Sequence, residues 1–236
     1  MKPIAIFNTD TVPDALARVH GQYPDMFMQS LLAVNPALTF ARFDVHNKHY
    51  PEAITDYAGV LITGSKSAAY DTDDWITQLK TRIQHMAREG VPMVGICFGH
   101  QIIHQALGGQ VVKAPGGWCV GVHRNKLTAA AVQYGPAGKT FRLLSSHQDQ
   151  VVKLAPNSQL LASSDHCAIA MTSVGNNILT LQGHPEFTRD YAKVLMDRRQ
   201  ELIGQQVHQR GLESLTQPLD DREVLGWMLQ TLGAGG

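Results

Sequence analysis

Cysteine is scarce. Cys97, Cys119 and Cys167 are the only 3 in 236 residues, too few and too scattered for a disulfide framework or a cysteine-type zinc site. Charge of one sign is not in excess either. Lys plus Arg number 20 and Asp plus Glu 20, so no broad pull toward nucleic acid or an anionic membrane is expected. No apolar run approaches the roughly 18 residues of a membrane span, and no basic leader with an apolar signal segment opens the sequence. Repeats are absent, and low complexity is confined to the Gly-Ala-Gly-Gly tail. Gly116-Gly117-Trp118-Cys119 is glycine-rich but lacks the Gly-Lys-Ser/Thr of a phosphate loop. His100 and His104, spaced i, i+4, lack the Glu of His-Glu-x-x-His and a third ligand. These absences lead us to expect a cytoplasmic protein of a reducing compartment, with no metal, no cofactor, no nucleic acid and no membrane as partner. The Arg198-Arg199 pair reads as a solvated helix face.

What is present suffices for a sizeable core, since 44% of residues are hydrophobic. Residues 1–236 are read as one domain, its core over about 1–190 and a helical extension over about 190–236. Strands are predicted at 2–8, 39–45, 59–63 and 91–96. Helices are predicted at 23–34, with Met26, Phe27, Leu31 and Leu32 on one face, and at 98–107. The strongest pattern is Ile76, Leu79, Ile83 and Met86, which predicts a helix over 74–89, started by Asp73 or Asp74 and ended by Gly90. Such alternation implies a parallel sheet covered on both faces. From Gly108 onward short strands are predicted at 111–112, 120–127, 141–145, 160–163, 168–172 and 178–181, read as hairpins on the same core. Helices return at 188–206 and 220–232, the latter with Asp220 and Glu223 as a capping pair.

Within Pro92-Met93-Val94-Gly95-Ile96-Cys97-Phe98-Gly99-His100-Gln101, an apolar run stops at a small-residue turn. Glycines stand two residues either side of Cys97, the spacing of a strand–turn–helix elbow with Cys as nucleophile. The turn leaves no room for side chains there. A helix starting at Phe98 points its N-terminal N–H groups at the sulfur and favours thiolate. Taken alone, Cys97 could equally be an inert cysteine ending a core strand.

Ile178-Leu179-Thr180-Leu181-Gln182-Gly183 reads as a strand running into His184-Pro185-Glu186-Phe187. Pro185 puts His184 and Glu186 at a strand end or loop. In extended geometry residues two apart point the same way, so Glu186 can orient the His184 imidazole. One histidine among 11 says little by itself; its weight comes from the combination with Cys97.

Gly95-Ile96-Cys97-Phe98-Gly99-His100-Gln101 with His184-Pro185-Glu186 resembles the class I, triad-type glutamine amidotransferases. Val60-Leu61-Ile62-Thr63-Gly64-Ser65 resembles that family's strand and oxyanion turn, and Ser145-Ser146-His147-Gln148-Asp149-Gln150-Val151 its substrate segment. Many members have Gly-Gly-Pro where this chain has Thr63-Gly64-Ser65. Together with His147-Gln148-Asp149, that triplet looks more like stand-alone members, including γ-glutamyl peptidases, than like domains fused to a synthetase such as GMP synthase. The resemblance implies a three-layer α/β fold, with a central, mostly parallel sheet and helices on both faces, of flavodoxin-like amidotransferase type. It implies Cys97, His184 and Glu186 as catalytic residues and the Gly64 and Phe98 N–H groups as oxyanion donors. Gln101, Ser146, His147 and Gln148 would hold the glutamyl group, with glutamine or a γ-glutamyl compound as substrate. Trp118 would wall the pocket or pack as an ordinary loop residue. The expected function is hydrolysis of a γ-glutamyl amide through a γ-glutamyl thioester. A glutaminase subunit feeding ammonia to a separate synthetase, and a catalytically idle binding module, are the alternatives.

Overall fold

Ile4–Asn8 (β1), Gly59–Ile62 (β3) and Met93–Ile96 (β4) are buried at every position. That is what strands covered on both faces of a parallel sheet require. The computed structural model describes residues 2–235. Phe40–Asp44 (β2) lies at one edge, and Ile178–Leu181 (β11) pairs in parallel with β4. Beyond it the sheet turns antiparallel through Met171–Val174 (β10), Ser158–Ser163 (β9), Cys119–Leu127 (β6) and Thr140–His147 (β7). The order of the 9-stranded sheet is β2-β1-β3-β4-β11-β10-β9-β6-β7. Gln110–Lys113 (β5) and Asp149–Lys153 (β8) form a separate antiparallel pair.

Helices Asp74–Arg88 (α3) and Phe98–Ala106 (α4) cover one face, burying Ile76, Leu79, Ile83, Phe98, Ile102 and Ile103 among the β-strand residues Ala5, Phe7 and Val60. Tyr23–Leu32 (α2) and Asp221–Thr231 (α8) cover the other, where Phe27, Leu31, Val224 and Met228 meet Ile4, Ile6 and Leu61. Leu32, expected on the buried face, is 38% exposed. Among the described residues no helix is long and apolar enough to cross a membrane.

Gly90 ends α3, with φ at +69° and hydrogen bonds from the Gly90 N–H to the Ala87 carbonyl and from the Val91 N–H to the Met86 carbonyl. That is the Schellman closure for which glycine is suited. Neither acidic cap forms. Asp73 makes no capping bond. Asp220 instead accepts from the Arg142 N–H at 2.7 Å, and Glu223 pairs with Lys139. Both carboxylates find tertiary partners that outcompete the local cap.

Two α-helices and one strand carry no expectation in the sequence. Asp14–His20 (α1) buries no residue and so shows no apolar stripe. β8 alternates poorly, and only its Val151 is buried. The helix predicted over 188–206 is broken into Arg189–Arg198 (α5) and Gln200–Ile203 (α6), and a further helix follows, Gln205–Ser214 (α7). Gly204, at φ +84°, separates the last two. The strand expected at 168–172 begins only at Met171.

Candidate active site

Cys97 stands between β4 and α4 with φ 54° and ψ −102°, a conformation costing about 1–3 kcal/mol for a residue with a side chain. The neighbouring glycines show why the turn is possible. A Cβ on Gly99 would strike the Ile62 carbonyl of β3, and one on Gly95 would lie 2.5 Å from the Gly99 carbonyl oxygen. Helix α4 is thus pressed against the sheet, and the Gly99 N–H bonds the Thr63 carbonyl at 3.1 Å. Cys97 is held at the carboxyl end of β4, where open α/β sheets bind ligands.

His184 follows β11, the next strand. Its N–H donates to the Leu144 carbonyl at 2.8 Å. Its Nδ1 meets Glu186 Oε1 at 2.7 Å, and both side chains are almost wholly buried. The imidazole lies flat on Phe187, with ring centroids 3.9 Å apart and planes 7° from parallel. Its plane and tautomer are therefore both set. Burial is the largest influence on its pKa and disfavours the charge. The Glu186 carboxylate, the charge of Cys97 and hydrogen bonds to both outweigh that burial and raise the pKa to about 10. With Nδ1 engaged by Glu186, Nε2 is left for Cys97. Gly64 lies across from both: a Cβ there would be 3.2 Å from His184 Cε1 and 3.6 Å from Cys97 Cβ.

Cys97 opens into a cleft of about 450 Å³ that Gln101, Trp118, Ser146, His147 and Gln148 also line. Gln148 is the bend where the chain leaves β7 in the large sheet and enters β8 in the small one. The Asp149 carbonyl receives Gln101 Nε2 at 2.8 Å and His147 Nδ1 at 3.1 Å. Gln101 Nε2 also donates to Gln182 Oε1 at 3.1 Å, so its own carbonyl remains for a ligand. Burial is the chief cause that lowers the His147 pKa to about 3, and the ring is neutral. The ring of Phe98 is buried against Trp75, away from the cleft, and its backbone alone stands next to Cys97.

His100 and His104, weighed above as metal ligands, join a buried chain instead. The Ala155 N–H donates to His104 Nδ1 at 3.1 Å, which leaves His104 Nε2 protonated and 2.8 Å from Thr172 Oγ1. Thr172 and Thr180 hydroxyls are 2.6 Å apart, and Thr180 lies 2.7 Å from His100 Nδ1. The chain ties α4, which carries the elbow, to β11, which leads to His184.

The cleft is also lined by residues that the sequence did not single out, among them Lys66, Tyr70, Lys113 and Arg199, and by Asp149 of the expected substrate segment. Asp149 is the one carboxylate of the lining, with its pKa raised mainly by burial. Arg199 corrects the reading of a solvated Arg198-Arg199 face. Arg198 is exposed, but Arg199 falls at the break between α5 and α6 and is half-buried. No residue pattern marks that break.

The glutamine amidotransferase class-I family model matches residues 19–199, more than half of the chain. The chain belongs to this family. γ-Glutamyl peptidase 5 of Arabidopsis thaliana is 30% identical over 204 residues, which cover 84% of this chain and 80% of that one. A glutamine-hydrolyzing GMP synthase subunit from Methanosphaera stadtmanae is 38% identical over 97 residues, 41% of this chain and 52% of that one. A solved glutamine amidotransferase structure from Methylobacillus flagellatus superposes with a TM-score of 0.74 over 99% of this chain and 94% of that chain, at 19% identity, a likeness of fold. This amidotransferase-family chain is a hydrolase of the class that cleaves the glutamine amide.

Proposed function

We propose that the chain is an autonomous hydrolase of γ-glutamyl amides or peptides, acting through a γ-glutamyl thioester on Cys97. The observation that carries this reading is the strained Cys97 elbow beside the buried His184–Glu186 pair, 2.7 Å apart, in which the carboxylate favours the charged imidazole. A positive imidazole beside the sulfur favours thiolate. The thiolate attacks the γ-carbonyl carbon, and the carbonyl oxygen takes the negative charge. The Phe98 and Gly64 N–H groups, which have no acceptor among the described residues, are the donors proposed for that oxygen. As the C–N bond breaks, His184 Nε2 gives its proton to the departing amine. A water then loses a proton to His184 and adds to the thioester. Collapse releases glutamate and the Cys97 thiolate. Glu186 holds the imidazole throughout. Gln101, Ser146, His147 and Gln148 hold the glutamyl group, with the free Gln101 carbonyl and the Asp149 carboxylate suited to its α-ammonium.

The extent of the match to a γ-glutamyl peptidase supports autonomy, since it spans twice the share of this chain that the GMP synthase match does. The second reading is an ammonia-donating subunit, and that shorter, more identical stretch favours it. One assay tests both: glutamate release by the purified chain from glutamine, γ-glutamyl anilide and γ-glutamyl peptides, without ATP or metal. Cys97→Ala and Cys97→Ser should abolish release while the protein stays folded. Full activity in Cys97→Ala overturns the mechanism. Inertness on every compound, relieved by a synthetase from the same cell, overturns autonomy.

A further inference from the structure

The cleft beside Cys97 carries three cations, Lys66, Lys113 and Arg199, and they are not equivalent. Lys66 is mostly exposed and pairs with Asp10 at 2.9 Å. Lys113 is exposed, and its charge acts on the Asp149 carboxylate. Arg199 makes no ion pair among the described residues. Its position is nonetheless built. The helix break at φ −106° and ψ 11° turns it inward. Nη1 donates to Ser146 Oγ at 3.1 Å, and the guanidinium carbon sits 5.6 Å from the centre of the Trp118 ring. One of its five N–H donors is used on Ser146. The others remain for an anion, and a stacked, weakly hydrated guanidinium takes a carboxylate through paired hydrogen bonds.

We propose that Arg199 is the specificity-determining residue of the cleft, recognising a carboxylate of the substrate. This rests on the γ-glutamyl reading above. A γ-glutamyl compound offers two such groups, the α-carboxylate of the glutamyl moiety and, when the leaving amine is an amino acid or peptide, the carboxylate of that leaving group. Ser146 and Trp118 position the guanidinium. Asp149 leaves the same cleft with an anion for the substrate's ammonium, so the two charges of the substrate meet opposite charges of the site.

The test is calorimetric binding to the full chain carrying Cys97→Ala, with and without Arg199→Gln, which retains a donor for Ser146. Arg199→Met is the second variant, and thermal midpoints check folding. Three probes are used: γ-glutamylglycine, γ-glutamyl methylamide, and the α-carboxamide of the latter, which has no carboxylate. Losing a charged hydrogen-bond pair weakens binding about 10- to 100-fold. A loss confined to γ-glutamylglycine assigns Arg199 to the leaving group's carboxylate. A loss shared by the methylamide and absent for the α-carboxamide assigns it to the α-carboxylate. Unchanged binding of all three probes, or an equal loss for all three, overturns the proposal, the second outcome marking Arg199 as a mere brace. If the Cys97-intact chain hydrolyses γ-glutamyl compounds with the same KM in Arg199→Gln, the proposal fails and the γ-glutamyl reading stands. If the parent neither binds nor hydrolyses any probe, the γ-glutamyl reading fails and takes this one with it.

Discussion

Glu186 decides the charge of His184. Burial alone would strip the imidazole of its proton, and the carboxylate is the strongest influence opposing that. Glu186→Gln removes the charge but keeps the hydrogen-bonding shape. The pKa of His184 should then fall from about 10. The basic limb of the kcat/KM–pH profile should move to lower pH, and activity near neutrality should drop about 10²–10⁴-fold. An unmoved limb would mean that Glu186 does not govern that proton. Thiol chemistry gives a second check. Burial foremost pushes the thiols of Cys119 and Cys167 up to about 12 each, so a γ-glutamyl-mimicking electrophile should add its mass at Cys97 alone. Equal labelling of all three by mass spectrometry would contradict a selectively activated Cys97. Cys97, His184 and Glu186 stood out in the sequence because the elbow glycines and Pro185 leave few conformations to consider. Arg199 did not, because the apolar period of α5 runs up to it without a glycine, a proline or a cap to announce the turn.

At the scale of elements, the elbow depends on two backbones lying closer than any side chain permits. Gly99→Ala drives a methyl group into the Ile62 carbonyl, and Gly95→Ala drives one against Gly99. Neither obstacle can move aside as a flexible side chain would. Each substitution should cost about 3 kcal/mol in urea unfolding and displace Cys97 enough to abolish turnover. A Gly99→Ala protein of parental stability and activity would show that α4 does not sit so close. Other contacts between elements could not be read from sequence. The apolar period announced α3 and the buried runs announced β1, β3 and β4, since each carries its own signal. The pairing of β5 with β8 did not show, because each pairs a single strand to a remote one and buries little. The Asp220 cap failed for a similar reason: the competing Arg142 N–H lies 78 positions away in the chain.

For the whole molecule, the buried histidines set how stability responds to acid. His100, His104, His123 and His147 are all held below the usual 6.5, burial being the first cause in each, with His104 at about 4 and His147 at about 3. The folded state keeps them neutral while the unfolded chain protonates. Their contribution is therefore complete above about pH 6.5 and is lost as pH falls toward the folded values. His184, raised to about 10, works the other way: its contribution is complete below about 6.5 and is lost as pH climbs to 10. Each neutral histidine adds a slope of about 1.4 kcal/mol per pH unit within its window. Urea midpoints should drop steeply between about pH 6.5 and about pH 5, and a flat profile there would contradict their burial as neutral rings.

Helix α8 has a consequence in time. Val224, Trp227, Met228 and Leu232 lie in one cluster with Ile4, Ile6 and Phe27, and Leu232 lies so near Gly59 that a Cβ there would come within 2.8 Å of its methyl group. Strand β1 is thus sealed by a helix made about 200 residues after it. Until residues 221–231 emerge, a nascent chain leaves the part of that face beneath α8 exposed to water, with an open apolar surface for chaperones to bind. Synthesis, and not only sequence, decides when this face of the sheet is closed.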